Sequence, residues 1–214
     1  MTSSTDSNSP LRLDFATLDD LSEITELWYN AFTTPGLRAI WPDTPGVRQW
    51  WHAANQHDML HKPREKYLKV VDTAQNGRIV AYAKWSLQTA EERGARWPAW
   101  HPDMDPVRND AFLHQLETCR ATLVGGGRPN FCRLKPDLDM LATHTAYRRM
   151  GAARLLLEWG CQAADEAGVP IYIDASQSGK PVYERLGFED RSYLLGGDTG
   201  ELAAMVRDPR KSSA

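Results

Sequence analysis

The sequence is short of several things that would narrow its class quickly. It has three cysteines in 214 residues, Cys119, Cys132 and Cys161. They are too few and too unevenly spaced for a disulfide framework or a zinc site, and they point to a reduced, cytoplasmic setting. No apolar run reaches the roughly 18–20 residues a membrane-spanning helix needs. Charge of one sign is not in excess: 25 Lys and Arg stand against 28 Asp and Glu, a net charge of −3. That balance gives no electrostatic case for nucleic acid or an anionic membrane as partner. Met1 to Pro10 is rich in Ser, Thr and Asn and lacks the apolar stretch of a signal peptide, so residues 1–10 read as a disordered tail. Residues 208–214 read as a C-terminal tail. Internal repeats and a metal-ligand pattern are also missing.

What remains is one domain over residues 11–207 with alternating strand and helix signals. Leu11 to Phe15 alternates as a half-buried strand. Thr17, with Asp20 three residues on, reads as a capping box for a helix ending near Pro35-Gly36. Thr44-Pro45 starts a second helix. Tyr67–Val71 and Arg78–Leu87 read as strands joined at a turn with Asn76-Gly77. A polar insertion, about 88–110, carries Trp97 and Trp100, and its length without periodicity marks a functional loop. Asn109 is expected to cap a helix running to about Leu123, before Gly125-Gly126-Gly127, a flexible connector.

The chemistry concentrates further on. The apolar strand Leu138–Thr143 runs into a turn, and Arg148-Arg149-Met150-Gly151-Ala152-Ala153-Arg154 opens a helix reaching Ala167. Its expected buried stripe is Ala152, Leu155, Leu156, Trp159 and Ala163. Such a turn leaves N–H groups outward at a helix N-terminus. The helix dipole and three arginines add positive charge there, a setting for a pyrophosphate. Gly151 lets phosphate approach the backbone. A second apolar strand, Val169–Ala175, follows the helix and so should lie parallel to the first. A short helix, Pro181–Leu186, ends at Gly187-Phe188, and Tyr193–Leu195 and Leu202–Val206 read as closing antiparallel strands.

Taken together, Arg148-x-x-Gly151-x-Ala153, the strand before it, and Tyr183-Glu184-Arg185-Leu186-Gly187-Phe188 resemble the GNAT superfamily of acetyl-CoA-dependent N-acetyltransferases. The order of elements agrees over nearly the whole chain. The departures are the 88–110 insertion and an alanine, Ala153, where many members have a second glycine.

The resemblance implies an α/β (α+β) fold. Its sheet is mixed and mostly antiparallel, with a splayed central parallel pair and helices on both faces. It implies acetyl-CoA as co-substrate and no metal. Pantetheine would pair with Leu141, Ala142 and Thr143, and the pyrophosphate would sit over Arg148 to Arg154. Ser176, Ser178 and Gly179 would line the same slot. Tyr183 matches the family's general acid, and a phenol suits that role because it stays protonated at neutral pH. For the base, Asp137 and Asp139 fall early in the motif strand, where some members carry a carboxylate. Asp139 is the first choice because it breaks an apolar run, and Asp174 sits late in the neighbouring strand. Trp97, Trp100 and Asp174 are candidates for the acceptor side. The implied activity is direct acetyl transfer to a primary amine of a small molecule in a ternary complex, by a monomer or homodimer. The alternatives are a peptide or protein acetyltransferase and a silent CoA-binding module.

Overall fold

A computed structural model describes residues 9–87, 95–124, 137–196 and 202–210. The triple glycine, Cys132 and the first part of the insertion lie outside these residues.

Seven strands form one sheet in the order β1-β2-β3-β4-β5-β7-β6. β1 (Leu11–Phe15), β2 (Glu65–Asp72), β3 (Arg78–Ser86) and β4 (Asp137–Thr143) are successive antiparallel neighbours. β5 (Ile171–Ser176) is parallel to β4, and β7 (Leu202–Arg207) lies antiparallel between β5 and the short β6 (Glu189–Asp190). The β4–β5 pair is connected through a helix, as a parallel connection requires. Its strand pairing consists of one register position, Asp137 opposite Tyr172. Beyond that point the two strands part, so the expected splay is present.

Helices cover both faces. On one, α5 (Ala152–Ala167) packs Ala152, Leu156, Leu157, Cys161 and Ala164 against Leu68, Val70, Ala81, Ala83 and Trp85. Gly160 allows this approach, because a Cβ there would lie 2.2 Å from the Trp85 indole. On the other face, α1 (Leu21–Ala31), α2 (Pro35–Ile40) and α3 (Pro45–His61) bury Ile24, Trp28, Ile40, Val47 and Trp51 over Val71, Ile79, Tyr82 and Ala142. On that same face α4 (Pro106–Val124) sets Cys119, Leu123 and Val124 against Tyr172, Ala204 and Val206.

Local chemistry explains most boundaries. The Thr17 N–H donates to Asp20 Oδ2 at 2.7 Å, the expected capping box, but a single 3₁₀ turn intervenes before α1 begins. Thr44 Oγ1 accepts from the Val47 N–H at 3.2 Å, capping α3.

Several expectations are corrected. Pro35 opens a helix rather than closing one, because proline fits a first helical turn. Asn109 is not a cap. It lies inside α4, buried, with Nδ2 donating to the Ile40 carbonyl at 3.1 Å. Asp105 caps that helix instead, its Oδ1 accepting from the N–H groups of Val107 and Arg108. The motif helix starts at Ala152, not near Arg148, because Gly151 is left-handed at φ +93°. The buried positions of α5 then lean toward Leu157, Gly160, Cys161 and Ala164, with Leu155 and Trp159 at the margin. Tyr193–Leu195 belongs to a 3₁₀ turn, and the edge strand is Glu189–Asp190. The helix bearing Tyr183, α6, runs Lys180–Glu184.

Candidate functional site

The turn before α5 is built from two left-handed residues, Arg149 at φ +66° and Gly151 at φ +93°. A left-handed arginine is uncommon and costs conformational energy, the kind of strain that gathers at ligand-binding sites. The first intrahelical bond of α5 runs from the Leu155 N–H to the Gly151 carbonyl at 3.3 Å. The N–H groups before it have no acceptor within the helix. A Cβ at Gly151 would meet no atom within 4 Å, so the space above the turn is open. These features fit a bound pyrophosphate.

The arginines around this turn divide. The Arg148 guanidinium points away and donates to the Ala31 carbonyl at the end of α1, 2.9 Å distant. Arg154 is exposed and paired with Glu158 at 2.7 Å. Arg149 and Met150 are exposed on the turn itself. Just upstream, Asn30 Oδ1 accepts from the Thr145 N–H at 2.9 Å, so the approach to the turn is fastened to α1. His144 caps this 3₁₀ segment, with Nδ1 accepting from the Ala146 N–H at 3.2 Å. Its role is local, and burial together with Arg78 pushes its pKa down.

From the turn, β4 leads into the splay. Leu141, Ala142 and Thr143 pair with β3 through one edge, opposite Ala83, Tyr82 and Ala81. Among the described residues their other edge carries no ladder to β5. That edge suits an added extended chain, since it presents unpaired N–H and C=O groups.

Across the gap, β5 ends in Ser176. Its Oγ lies 3.2 Å from Ser178 Oγ and accepts from the Gly179 N–H at 3.2 Å. The next helix brings Tyr183 back against the sheet. Its ring is 8% exposed and meets Phe188 edge-on with centroids 5.8 Å apart. The Phe188 N–H donates to the Tyr183 carbonyl at 3.2 Å, so the Gly-Phe pair holds the tyrosine. Gly187, at φ +91°, makes that return possible. Burial pushes the Tyr183 phenol up, which keeps it protonated.

The carboxylates sit at the mouth of the splay, on the face covered by α1, α3 and α4. Asp137 pairs with Arg120 at 2.7 Å. Asp139 occupies a bulge between β3 and β4 and belongs to a larger ion network. Its carboxylate lies 3.6 Å from the buried Lys84 ammonium and 3.4 Å from Arg96. Lys84 also meets Asp58, and Lys62 joins Asp58 at 2.8 Å. Lys84 and this network were not legible beforehand, since a lysine inside an apolar strand gives no hint of its partners. Asp174 is different. Its Oδ1 accepts from the Tyr172 hydroxyl at 2.6 Å, and burial pushes its carboxyl up to about 6.

The aromatic part of the insertion folds down onto α2 and α3. Trp97 lies 4.9 Å from Trp51 and 5.6 Å from Trp50 between ring centroids, and Trp100 lies 5.6 Å from Trp50. Trp50 Nε1 donates to the Ala99 carbonyl, and Trp100 Nε1 to Asp110 Oδ1, each at 2.8 Å. Lys84 Nζ stands 5.7 Å from the Trp97 ring, which places Trp97 beside the charged network. Trp100 is at the rim. No group of His, Cys, Asp and Glu suited to a metal ion occurs among the described residues. None of the described helices is long and apolar enough to cross a membrane.

The sheet is thus split by a diverging parallel pair, with a glycine turn at one end and a buried tyrosine behind it. Residues 109–194 match the family model of the acetyltransferase (GNAT) domain. It is 34% identical over 58 residues to the "Probable acyltransferase SID5" of Ajellomyces capsulatus, a match covering 25% of this chain and 43% of that relative. The chain therefore spans less than half the length of the curated relative it matches. Among solved structures, the "histone acetyltransferase HPA2 and related acetyltransferase" from Corynebacterium glutamicum aligns at TM-score 0.59 with 20% identity. That alignment covers 95% of this chain and 99% of the other. The PaiA N-acetyltransferase from Thermoplasma acidophilum, in complex with coenzyme A, aligns at TM-score 0.56 with 9% identity, covering 92% and 98%. At these identities the likeness is one of fold.

Proposed function

We propose that the protein transfers an acetyl group from acetyl-CoA to a primary amine of a small molecule, by direct attack in a ternary complex. The observation that carries this reading is the parting of β4 and β5 after Asp137 and Tyr172, with an open glycine turn at one end of the gap and Tyr183 beside it.

In this reading the turn from Arg149 to Arg154 takes the pyrophosphate and the free edge of Leu141–Thr143 takes the pantetheine. Ser176, Ser178 and Gly179 form the far wall. The co-substrate supplies an activated thioester. The His144 N–H donates to the Val80 carbonyl on β3, and strand alternation turns the Ala142 N–H the same way, so the N–H groups facing the gap are those of Leu141 and Thr143. One of these polarises the thioester carbonyl, a backbone donor fixed before reaction and costing no reorganisation. Tyr183 donates to the departing sulfur. A carboxylate at the mouth, Asp139 or Asp174, receives the amine's proton. Trp97 and Trp100 wall the acceptor side, where aromatic faces suit an ammonium-bearing or aromatic amine. Trp97 also keeps a buried indole N–H without a hydrogen-bond partner among the described residues, a donor for a polar group of the acceptor.

The test is an acetyl-CoA consumption screen that follows free thiol release over polyamines, aminosugars, amino acids, arylamines and peptides. Turnover with one of the small amines is expected. Turnover restricted to peptides would overturn the acceptor class, and absence of both turnover and CoA binding would overturn the reading as a whole.

A further inference from the structure

The two lips of the splay each present an aspartate two residues beyond the last paired position: Asp139 after Asp137 on β4, and Asp174 after Tyr172 on β5. Their surroundings differ in kind. Asp139 is clamped between two cations, Lys84 at 3.6 Å and Arg96 at 3.4 Å. Its charge is therefore already matched by cations of the protein itself, within a network that also holds Asp58 and Lys62. Asp174 is met by a neutral phenol, the Tyr172 hydroxyl at 2.6 Å, and among the described residues it has no ion pair.

Every element packed against Asp174 contributes to its state. From its own strand comes Tyr172. From α4 come Arg120 and Glu117, and Cys119, whose thiol the Asp174 charge helps push up. The insertion contributes Arg96. On the β7 side the register partner is Ala204, which is apolar. Arg120 and Arg96 are committed elsewhere: Arg120 pairs with Asp137 at 2.7 Å and Glu117 at 3.1 Å, and Arg96 with Asp139 at 3.4 Å and Glu117 at 3.6 Å. They favour an anionic Asp174 from a distance without bonding to it.

We propose that Asp174 takes the proton from the attacking amine, that Tyr172 is the residue positioning it, and that Asp139 serves as a fixed charge organising Lys84 and Arg96. The proposal rests on the acetyltransferase reading and assigns the base within it. As the amine nitrogen bonds to the acetyl carbon, its proton passes to the Asp174 carboxylate. The carbon–sulfur bond breaks with its electron pair on sulfur. The sulfur takes the Tyr183 proton, which solvent replaces as Asp174 releases its own. The nitrogen, sulfur and both side chains end in a balanced state, with amide and free thiol as products.

The assignment is tested with Asp174→Asn, Asp139→Asn and Tyr172→Phe, each checked for folding by its melt and for CoA affinity by calorimetry. Asp174→Asn should lower kcat/KM by about 10²-fold or more and abolish the acidic limb of the pH profile, with CoA affinity retained. In the wild type that limb should fall near the Asp174 value of about 6. Tyr172→Phe removes a bond to the charged form, so the limb should move to higher pH while CoA affinity stays. Asp139→Asn should keep the limb. If the limb survives Asp174→Asn, or disappears in Asp139→Asn alone, the assignment is overturned while the acetyltransferase reading stands. A carboxyl-carbon NMR titration of the wild-type protein gives a readout free of turnover. The resonance missing from Asp174→Asn should titrate well above the ordinary carboxylate range, and a midpoint within that range overturns the proposal.

Discussion

Tyr183 shows how one side chain is prepared by its neighbours. The phenol is buried, its ring abuts Phe188, and its backbone carbonyl accepts from three N–H groups, those of Leu186, Phe188 and Arg185. A residue held so firmly delivers its hydroxyl to one place, and burial keeps that hydroxyl protonated. Tyr183→Phe keeps the ring and removes only the donor. We expect kcat to fall by about 10²–10⁴, while CoA affinity and melting temperature change little. Thiol release under saturating acetyl-CoA measures the first and calorimetry the second. A variant turning over at the wild-type rate would leave Tyr183 as a packing residue. The packing of this tyrosine was legible in the sequence because the Gly-Phe pair four and five residues on fixes its context. The two aspartates could not be separated that way. Asp139 drew notice by interrupting an apolar strand, yet its partners Lys84 and Arg96 come from 55 and 43 residues earlier in the chain. No local pattern encodes that pairing.

At the scale of elements, the glycine turn and the helix it opens belong together. Gly151 is exposed and left-handed with open space beside it. Aspartate tolerates the left-handed conformation better than most residues. Gly151→Asp should therefore fold, with a stability loss on the order of 1 kcal/mol, and lose CoA binding through like-charge repulsion at the turn. A calorimetric titration at constant salt checks this, and unchanged affinity in the folded variant would move the pyrophosphate elsewhere. Boundaries were the less legible part at this scale. The α5 start was misplaced by about one turn because Arg148 to Met150 have helix-compatible side chains, and backbone handedness cannot be read from them. Asn109 looked like a cap because asparagine favours that role. Its burial against Ile40 is a tertiary contact that overrides the preference. The parallel relation of β4 and β5, by contrast, follows from the helix that joins them.

Over the whole molecule, the described part of the insertion and the first three helices form one aromatic body. Trp28, Trp41, Trp51 and Trp97 have ring centroids 4.5–6.3 Å apart in successive contacts. Trp97 thus carries stability as well as facing Lys84. Trp97→Ala should lower the melting temperature, at a cost below the roughly 3–5 kcal/mol typical of a fully buried tryptophan. Trp100→Ala, at the rim, should do so much less and should raise the acceptor KM with CoA affinity intact. Thermal melts and steady-state kinetics on both variants separate the effects. A Trp97→Ala protein with wild-type melting would show that the insertion does not stabilise the domain.

The lone rung between Asp137 and Tyr172 also has a mechanical meaning. Where the ladder stops, the sheet becomes two leaves, β1 to β4 and β5 to β7, joined at that rung and by helices packed across the faces. A chain laid along the β4 edge restores the hydrogen bonding that a continuous sheet would have had, so it acts as a temporary strand. Its arrival and departure would then brace and release the seam, giving the domain two stiffnesses within a single fold.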